Sequence, residues 1–360
     1  MQGNKIIASE RVIYKVNGVA TSFSEMMALP ASQVDRIYWL PWYNSKTLDT
    51  QLRIANVSSG EATVHVYIGE AEVTGSPLTI PAGMSVRKTF YKIDRGPVRI
   101  ESNADIVASE RVFFKVNGVD TSFSEMMALP ARQVDRIYWL PWYNSKYMDT
   151  QLRIANVSPG EASVHVYIGG AEVAGSPFTI PVDTSKRLTF PNIDKGPVRI
   201  ESNADIVASE RVFYKAAGNI SVSYSETMAL PEKLLDTMYW LPWYNSKFMD
   251  TQLRIANVGL DEASVHVYIG GTEVAGSPFA IPVGVSKRLT LPRIDKGPVK
   301  IESNMDIVVS ERVIYKVDNI PTSFSEMMGL PNDLLDVSYW LPWYNNKTLD
   351  TQLRFGVPSN

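Results

Sequence analysis

Two short strings hold most of the residues whose types and spacing could do chemistry. Ser-Glu-Arg-Val begins at Ser9, Ser109, Ser209 and Ser310, and Tyr-Trp-Leu-Pro-Trp-Tyr-Asn begins at Tyr38, Tyr138, Tyr239 and Tyr339. In the first string Glu110 shares a strand face with Ala108, Val112 and Phe114, while Arg111 falls on the other face with Ser109, Phe113 and Lys115. A carboxylate set among apolar neighbours must be paired or protonated. It could act as a catalytic acid, as the proton-transfer residue of a Lys–Asn cross-link with Lys115 and Asn156 as reactants, or as a member of a structural polar network. The network reading is preferred, and its members would be Glu10, Arg11, Glu110, Arg111, Glu210, Arg211, Glu311 and Arg312.

The second string contains all eight tryptophans: Trp39, Trp42, Trp139, Trp142, Trp240, Trp243, Trp340 and Trp343. Flat apolar rings with a polar handle can stack on sugars. The same rings can plug the junction between consecutive modules, which is the preferred reading. Pro141 confines its segment to an edge strand or a linker. Other chemistry is poorly supplied. The three histidines are one repeated position (His65, His165, His266), and the chain has no cysteine. Neither a zinc site nor a nucleophile–base pair can be built within one copy from that inventory. Asp149-Thr150-Gln151 with Arg153 lacks the spacing of a calcium loop and is expected to make a turn and a salt bridge. Glycine-rich phosphate loops are absent. No metal or cofactor is expected, and enzymatic activity is disfavoured.

The elements that position these residues follow from the repeat. The period is 100 residues, with one extra residue in the third copy, so the 360-residue chain holds three full periods and a partial fourth. That period is too long for a solenoid turn or a propeller blade and suits a β-sandwich module of about seven strands. Two-residue alternation runs throughout: Val164, Val166 and Ile168 face in while His165 and Tyr167 face out, and Ile206 to Lys215 is the longest stretch. The nearest approach to a helical period is one turn over Ser124 to Leu129. The fold class is therefore all-β, with tandem antiparallel sandwich modules.

Opening each module at the tryptophan string gives domains 38–137, 138–238 and 239–338, with partial repeats at 1–37 and 339–360. Both partial repeats alternate like strands, and unpaired strands are a liability. They could cap their neighbouring modules, meet each other in a closed array, or pair with another copy of the chain. Capping is the expected arrangement, with the large apolar residues of both ends buried.

The closing string Gly-Pro-Val-Arg-Ile-Glu-Ser-Asn-Ala-Asp-Ile-Val-Ala-Ser-Glu-Arg-Val, with the aromatic opening and the Thr-Gln-Leu-Arg-Ile-Ala-Asn strand, resembles the tandem Ig-like repeats of bacterial secreted and cell-surface proteins. Those repeats open on a Trp-Tyr-Phe-x-Glu-Gly pattern and close on Pro-Ile-Val-Ala-Glu-Arg. This chain has Trp-Leu-Pro-Trp-Tyr-Asn and Ser-Glu-Arg in those places. The resemblance implies Ig-like sandwiches and an extracellular or cell-surface location more than any mechanism.

Composition narrows the partners. Thirty-five basic residues against 38 acidic give a formal net charge of -3, which creates no field for a polyanion. No apolar run is long enough to span a membrane as a helix. Met1-Gln2-Gly3-Asn4-Lys5 is no signal peptide, and the sequence reads as a fragment of a larger secreted chain. Two functions follow. One is a structural protein of a bacterial surface, filament or sheath, acting as stalk or assembly module and partnered by itself, head to tail or laterally. The alternative is an adhesin that binds cell-surface polysaccharide through the tryptophan string.

Overall fold

A computed structural model describes residues 4–16, 18–216 and 220–358. Among them the chain is almost entirely β, in repeated antiparallel units of about 100 residues. The first unit is typical. Its backbone is the 19-residue strand Val98–Val116, which serves both sheets of a sandwich. The first half of this strand lies between Asp35–Leu40 and Ala62–Ile68, with Val98 opposite both Leu40 and Ile68. Its second half lies between Asp49–Asn56 and the hairpin partner Val119–Met127. The pairing with Asp35–Leu40 breaks register between Glu101 and Ile106, where the strand passes from one sheet to the other.

Alternation explains the core. Val64, Val66 and Ile68 point inward and are fully buried beside Leu52, Ile54, Tyr38, Leu40, Val98 and Ile100. The outward positions between them carry His65 and Tyr67. The same arrangement recurs around Leu152, Val164 and Val198, and around Leu253, Val265 and Val299. Ser124 to Leu129 is not a helical turn. Val119–Met127 is a nine-residue strand, and Leu129–Pro130 pairs back onto Tyr38 and Trp39. Each hydrogen-bonded unit thus runs from Asp35 to Pro130, Asp135 to Pro231 and Asp236 to Pro331.

The two ends of the chain do not cap their neighbours. They meet each other. Asp350–Gly356 pairs antiparallel with Ile7–Ile13, with Leu353 opposite Glu10, just as Leu52 lies opposite Glu110. Leu29 pairs with Trp340, as Leu129 does with Trp39. The result is a fourth, partial unit built from both ends. Its hairpin, Ile7–Val16 with Val19–Met27, joins the other three around a common pseudo-four-fold axis. The four units form a closed ring.

The buried set differs from the sequence expectation at one end. Val12 and Phe23 are buried. Leu353, Phe355 and Trp340 are exposed at 44%, 60% and 39%. The physical reason is that, among the described residues, the fourth unit has one layer of its sandwich, with no counterpart of Ala62–Ile68 or Val98–Glu101 lying over them.

Candidate functional site

The Ser-x-Ser-Glu strands pack around the axis, and their side chains tie each unit to the next. The hydroxyls of Ser22, Ser122, Ser223 and Ser323 form a closed cycle with successive separations of 3.1, 3.0, 3.2 and 3.1 Å. Each also accepts a backbone N–H from the following unit: Phe123 donates to Ser22, Tyr224 to Ser122, Phe324 to Ser223 and Phe23 to Ser323. Two residues along, Ser24, Ser124, Ser225 and Ser325 accept the N–H groups of Glu125, Glu226, Glu326 and Glu25. Strand edges that would otherwise leave buried donors unpaired are satisfied by side-chain oxygens of the neighbouring unit.

Farther out, a repeated carboxylate joins successive units. Asp35, Asp135, Asp236 and Asp336 accept the backbone N–H of Arg132, Lys233, Asp333 and Ser32. The last bond, 2.8 Å, crosses the point where the chain ends meet.

The arginines of the Ser-Glu-Arg strings are buried and take partners from outside the string. Arg11 does not pair with Glu10. Its Nε and Nη2 donate to Glu25 at 3.0 and 2.6 Å, and Ser9 donates to the other oxygen at 2.8 Å. Arg111 with Glu125, Arg211 with Glu226 and Arg312 with Glu326 repeat the arrangement, all buried. Ordinary hairpin register places each arginine directly opposite its glutamate, so the pair forms within one unit. In the third hairpin Tyr224 also donates to Glu226. Glu10, Glu110, Glu210 and Glu311 face the other way, toward the next unit. Both carboxylate oxygens of Glu10, Glu110 and Glu311 are buried without a hydrogen bond to protein. Burial, reinforced by Glu125, pushes Glu10 up to about 8, against the pull of Arg111 and Arg53. Burial, reinforced by Glu226, Glu326 and Glu25 respectively, raises Glu110, Glu210 and Glu311 well above the usual carboxylate range.

The tryptophans sit at the same junctions. The Arg153 guanidinium lies 4.3 Å from the Trp42 ring centre, Arg254 4.3 Å from Trp142, Arg354 5.0 Å from Trp243 and Arg53 4.8 Å from Trp343. Each ring thus receives an arginine from the next unit around the circle, including across the chain ends. The indole N–H groups of Trp42, Trp142 and Trp243 donate to Asp94, Asp194 and Asp295 at 2.7 Å. Trp39 and Trp139 pack against the cores of the second and third units. Trp240 is buried with Ile7, Leu330 and Leu335. Trp340 alone of the eight is classed as exposed.

The remaining candidates are occupied elsewhere. Lys115 pairs with Asp120, and the Asn156 amide donates to the carbonyls of Gly160 and Ile180. Asp149 opens a strand rather than making a turn, and the Arg153 side chain donates to Gln151. His165 contacts Glu172 at 2.7 Å on the outer face. Among the described residues no three His, Cys, Asp or Glu side chains cluster to hold a metal, and no helix is long and apolar enough to cross a membrane.

Sequence reasoning passed over Glu25, Glu125, Glu226 and Glu326, and the serines beside them. Their signal was present: they recur with the arginines and stand 14 or 15 residues after them. Arg53, Arg153, Arg254 and Arg354 alternate out of their strand's sandwich core, and the neighbouring unit covers the first three almost fully.

No family model and no curated protein matches the chain. Structural overlaps are distant. One is with the M60 catalytic domain with the CBM51-1 and CBM51-2 domains from Clostridium perfringens ZmpB, at 10% identity and a TM-score of 0.17, covering 81% of this chain and 33% of that one. The chain therefore spans about a third of that protein's length. A second is an anti-sigma factor domain-containing protein, at 9% identity and a TM-score of 0.16, covering 94% of this chain and 100% of that one. A third is the GH2 beta-galacturonidase from Eisenbergiella tayi bound to galacturonate, at 10% identity and a TM-score of 0.14, covering 80% and 44%. At these scores neither the fold nor the activity of those proteins bears on this chain.

Proposed function

We propose that the protein is a non-catalytic structural module of a bacterial cell surface or extracellular assembly, acting as a closed, rigid scaffold. The observation that carries this reading is the use of the repeated residues. The serines, the repeated aspartates and the tryptophans go into joining units to one another, while the Arg–Glu pairs brace the hairpins that meet at the axis. Four units set around an axis add little reach, so an assembly module fits better than a stalk. The extracellular location is supported by the resemblance of the repeat strings.

The competing reading, an adhesin stacking sugars on tryptophan, needs open aromatic faces. Arginine covers Trp42, Trp142, Trp243 and Trp343, and neighbouring cores hold Trp39, Trp139 and Trp240. The test compares the wild type with W42A/W142A in thermal melts and in sedimentation with insoluble polysaccharides. A scaffold loses stability in the variant and pellets with no polysaccharide in either form. Polysaccharide binding by the wild type that disappears in an equally stable variant would replace the scaffold with the adhesin.

A further inference from the structure

The sandwich of the second unit is open along one side. Its two sheets end there in the edge strands Phe178–Ile180 and Ser185–Leu188. These pair with Ala162–Ile168 and Asp149–Asn156 respectively, and among the described residues no ladder joins them to each other. Between them lies a cavity of about 550 Å³. Phe178, Leu188, Phe190 and Ile193 line it and pack against the core of the unit, and Lys186 and Lys195 stand in its wall. A space of that volume, lined chiefly by apolar side chains with a few charged groups, is of the size that takes a small organic molecule.

Lys186 holds a position on the core-facing side of its strand. It lies directly opposite Ile154, which is fully buried, and residues opposite one another in antiparallel strands share a face. Its ammonium reaches across the mouth of the cavity to 4.5 Å from the centre of the Phe178 ring, on the other sheet. The third unit repeats the arrangement, with Lys287 opposite Ile255 and 3.9 Å from the Phe279 ring. The first unit departs from it. There Leu78 and Val86 replace the aromatic and the cation, and an exposed Lys88 stands where the other units have Leu188 and Leu289. Val73, Leu78 and Phe90 are buried in that unit, whereas Val173, Phe178 and Phe190 are half-buried. Glu172, the acidic residue of the cavity wall, is held by His165 and Ser176. With two lysines against one glutamate, the lining is net positive.

We infer that this cavity binds an amphipathic anion, an alkyl or aryl body ended by a carboxylate or sulfonate, with an equivalent site in the third unit. The apolar body enters between the two edge strands against Phe178, Leu188 and Phe190. The anionic end stays at the mouth with Lys186 and Lys195. Burial of the apolar body drives binding, and the charge-assisted contact with lysine selects an anion over a cation of the same length. None of these residues takes part in the serine cycle or in the Trp–Arg contacts that join the units.

The test titrates the full chain with anilinonaphthalenesulfonate, whose fluorescence rises on apolar burial, and then competes the probe with dodecanoate or dodecylammonium below their micellar concentrations. Saturable binding is expected, with dodecanoate displacing the probe roughly tenfold more effectively than dodecylammonium. F178L/K186V/L188K/F279L/K287V/L289K gives the second and third units the residues that the first already carries, and should weaken probe binding by roughly tenfold or more. In the wild type, dodecanoate should slow amide exchange in Phe178–Ile180 and Ser185–Leu188, a readout that does not depend on the variant folding. Four results would overturn the inference: no saturable binding, equal competition by the two dodecyl compounds, equal binding by a folded variant, or unchanged exchange in those two strands at saturating dodecanoate.

Discussion

The Arg153 guanidinium of the second unit lies 4.3 Å from the centre of the Trp42 ring of the first, while the Trp42 indole N–H is held by Asp94 of its own unit. The ring is thus fixed from one side and covered from the other. A cation over a desolvated aromatic face is stabilising, and the same contact recurs at all four junctions.

Replacing Trp42 by alanine should therefore destabilise the protein by about 2 kcal/mol, combining lost apolar burial with the lost cation–π contact. Urea unfolding of W42A, R153A and the double variant measures the coupling between the two side chains. It should be about 1 kcal/mol. A coupling of zero would mean that the two residues pack independently.

The serine cycle makes a second prediction. Ser122 Oγ accepts the Tyr224 N–H at 3.2 Å and contacts the hydroxyls of Ser22 and Ser223. S122A leaves that buried N–H without a partner, at a cost of about 1–3 kcal/mol. The Tyr224 amide should also exchange faster with solvent, while amides in the outer sandwich of the second unit keep their wild-type rates.

Much of the outer sandwich was legible in the sequence, and the axis was not. Val164, Val166 and Ile168 alternate with His165 and Tyr167, and a period of two read from those residues alone places each on its observed face. The Ser-Phe-Ser-Glu segment defeats the same reasoning, because both of its faces are buried: Phe123 toward aromatic neighbours, and Ser122 and Ser124 toward adjacent units. A strand buried on both faces shows no clean polar side. Arg153 is misread for a related reason. Its face is outward for its own unit and inward for the ring. Closure itself rests on contacts between residues 300 positions apart, such as the Phe23 N–H with Ser323, and local pattern says nothing about that separation.

The four glutamates that face adjacent units set a pH dependence. In the folded protein Glu10 is pushed up to about 8 from an ordinary value of 4.5, by burial and then by Glu125. Between those values the folded state holds the proton more tightly than the unfolded state, so stability falls as pH rises. The contribution is fully present below the unfolded value and is lost as pH passes through the folded one. Melting temperature should therefore decline from pH 5 to pH 8. E10Q/E110Q/E210Q/E311Q, which mimics the protonated state, should flatten that slope and melt higher than the wild type at pH 8. A wild-type slope of the opposite sign would mean that the arginines, rather than burial, govern these carboxyls.

The Arg111–Glu125 pair should behave differently. Both side chains are buried and joined through two guanidinium nitrogens. E125Q leaves an uncompensated buried cation, and breaking such a pair costs about 3–5 kcal/mol. The apolar double variant R111M/E125L should recover much of that loss, because it removes both charges at once. Chemical denaturation of the three proteins side by side checks the order.

Ring closure is the central claim, and a distance between the chain ends tests it most directly. Lys15 and Asp350 stand 3.7 Å apart as an exposed ion pair on the strands that join those ends. The chain has no cysteine, so K15C/D350C can carry two spin labels at those positions alone. The account predicts strong dipolar broadening in the frozen spectrum at low protein concentration, persisting when the labelled protein is diluted with unlabelled wild type. A spectrum equal to the sum of the two singly labelled proteins would show the ends apart and contradict the closed ring. Broadening that vanished on dilution with wild type would contradict it equally, by assigning the contact to two different molecules.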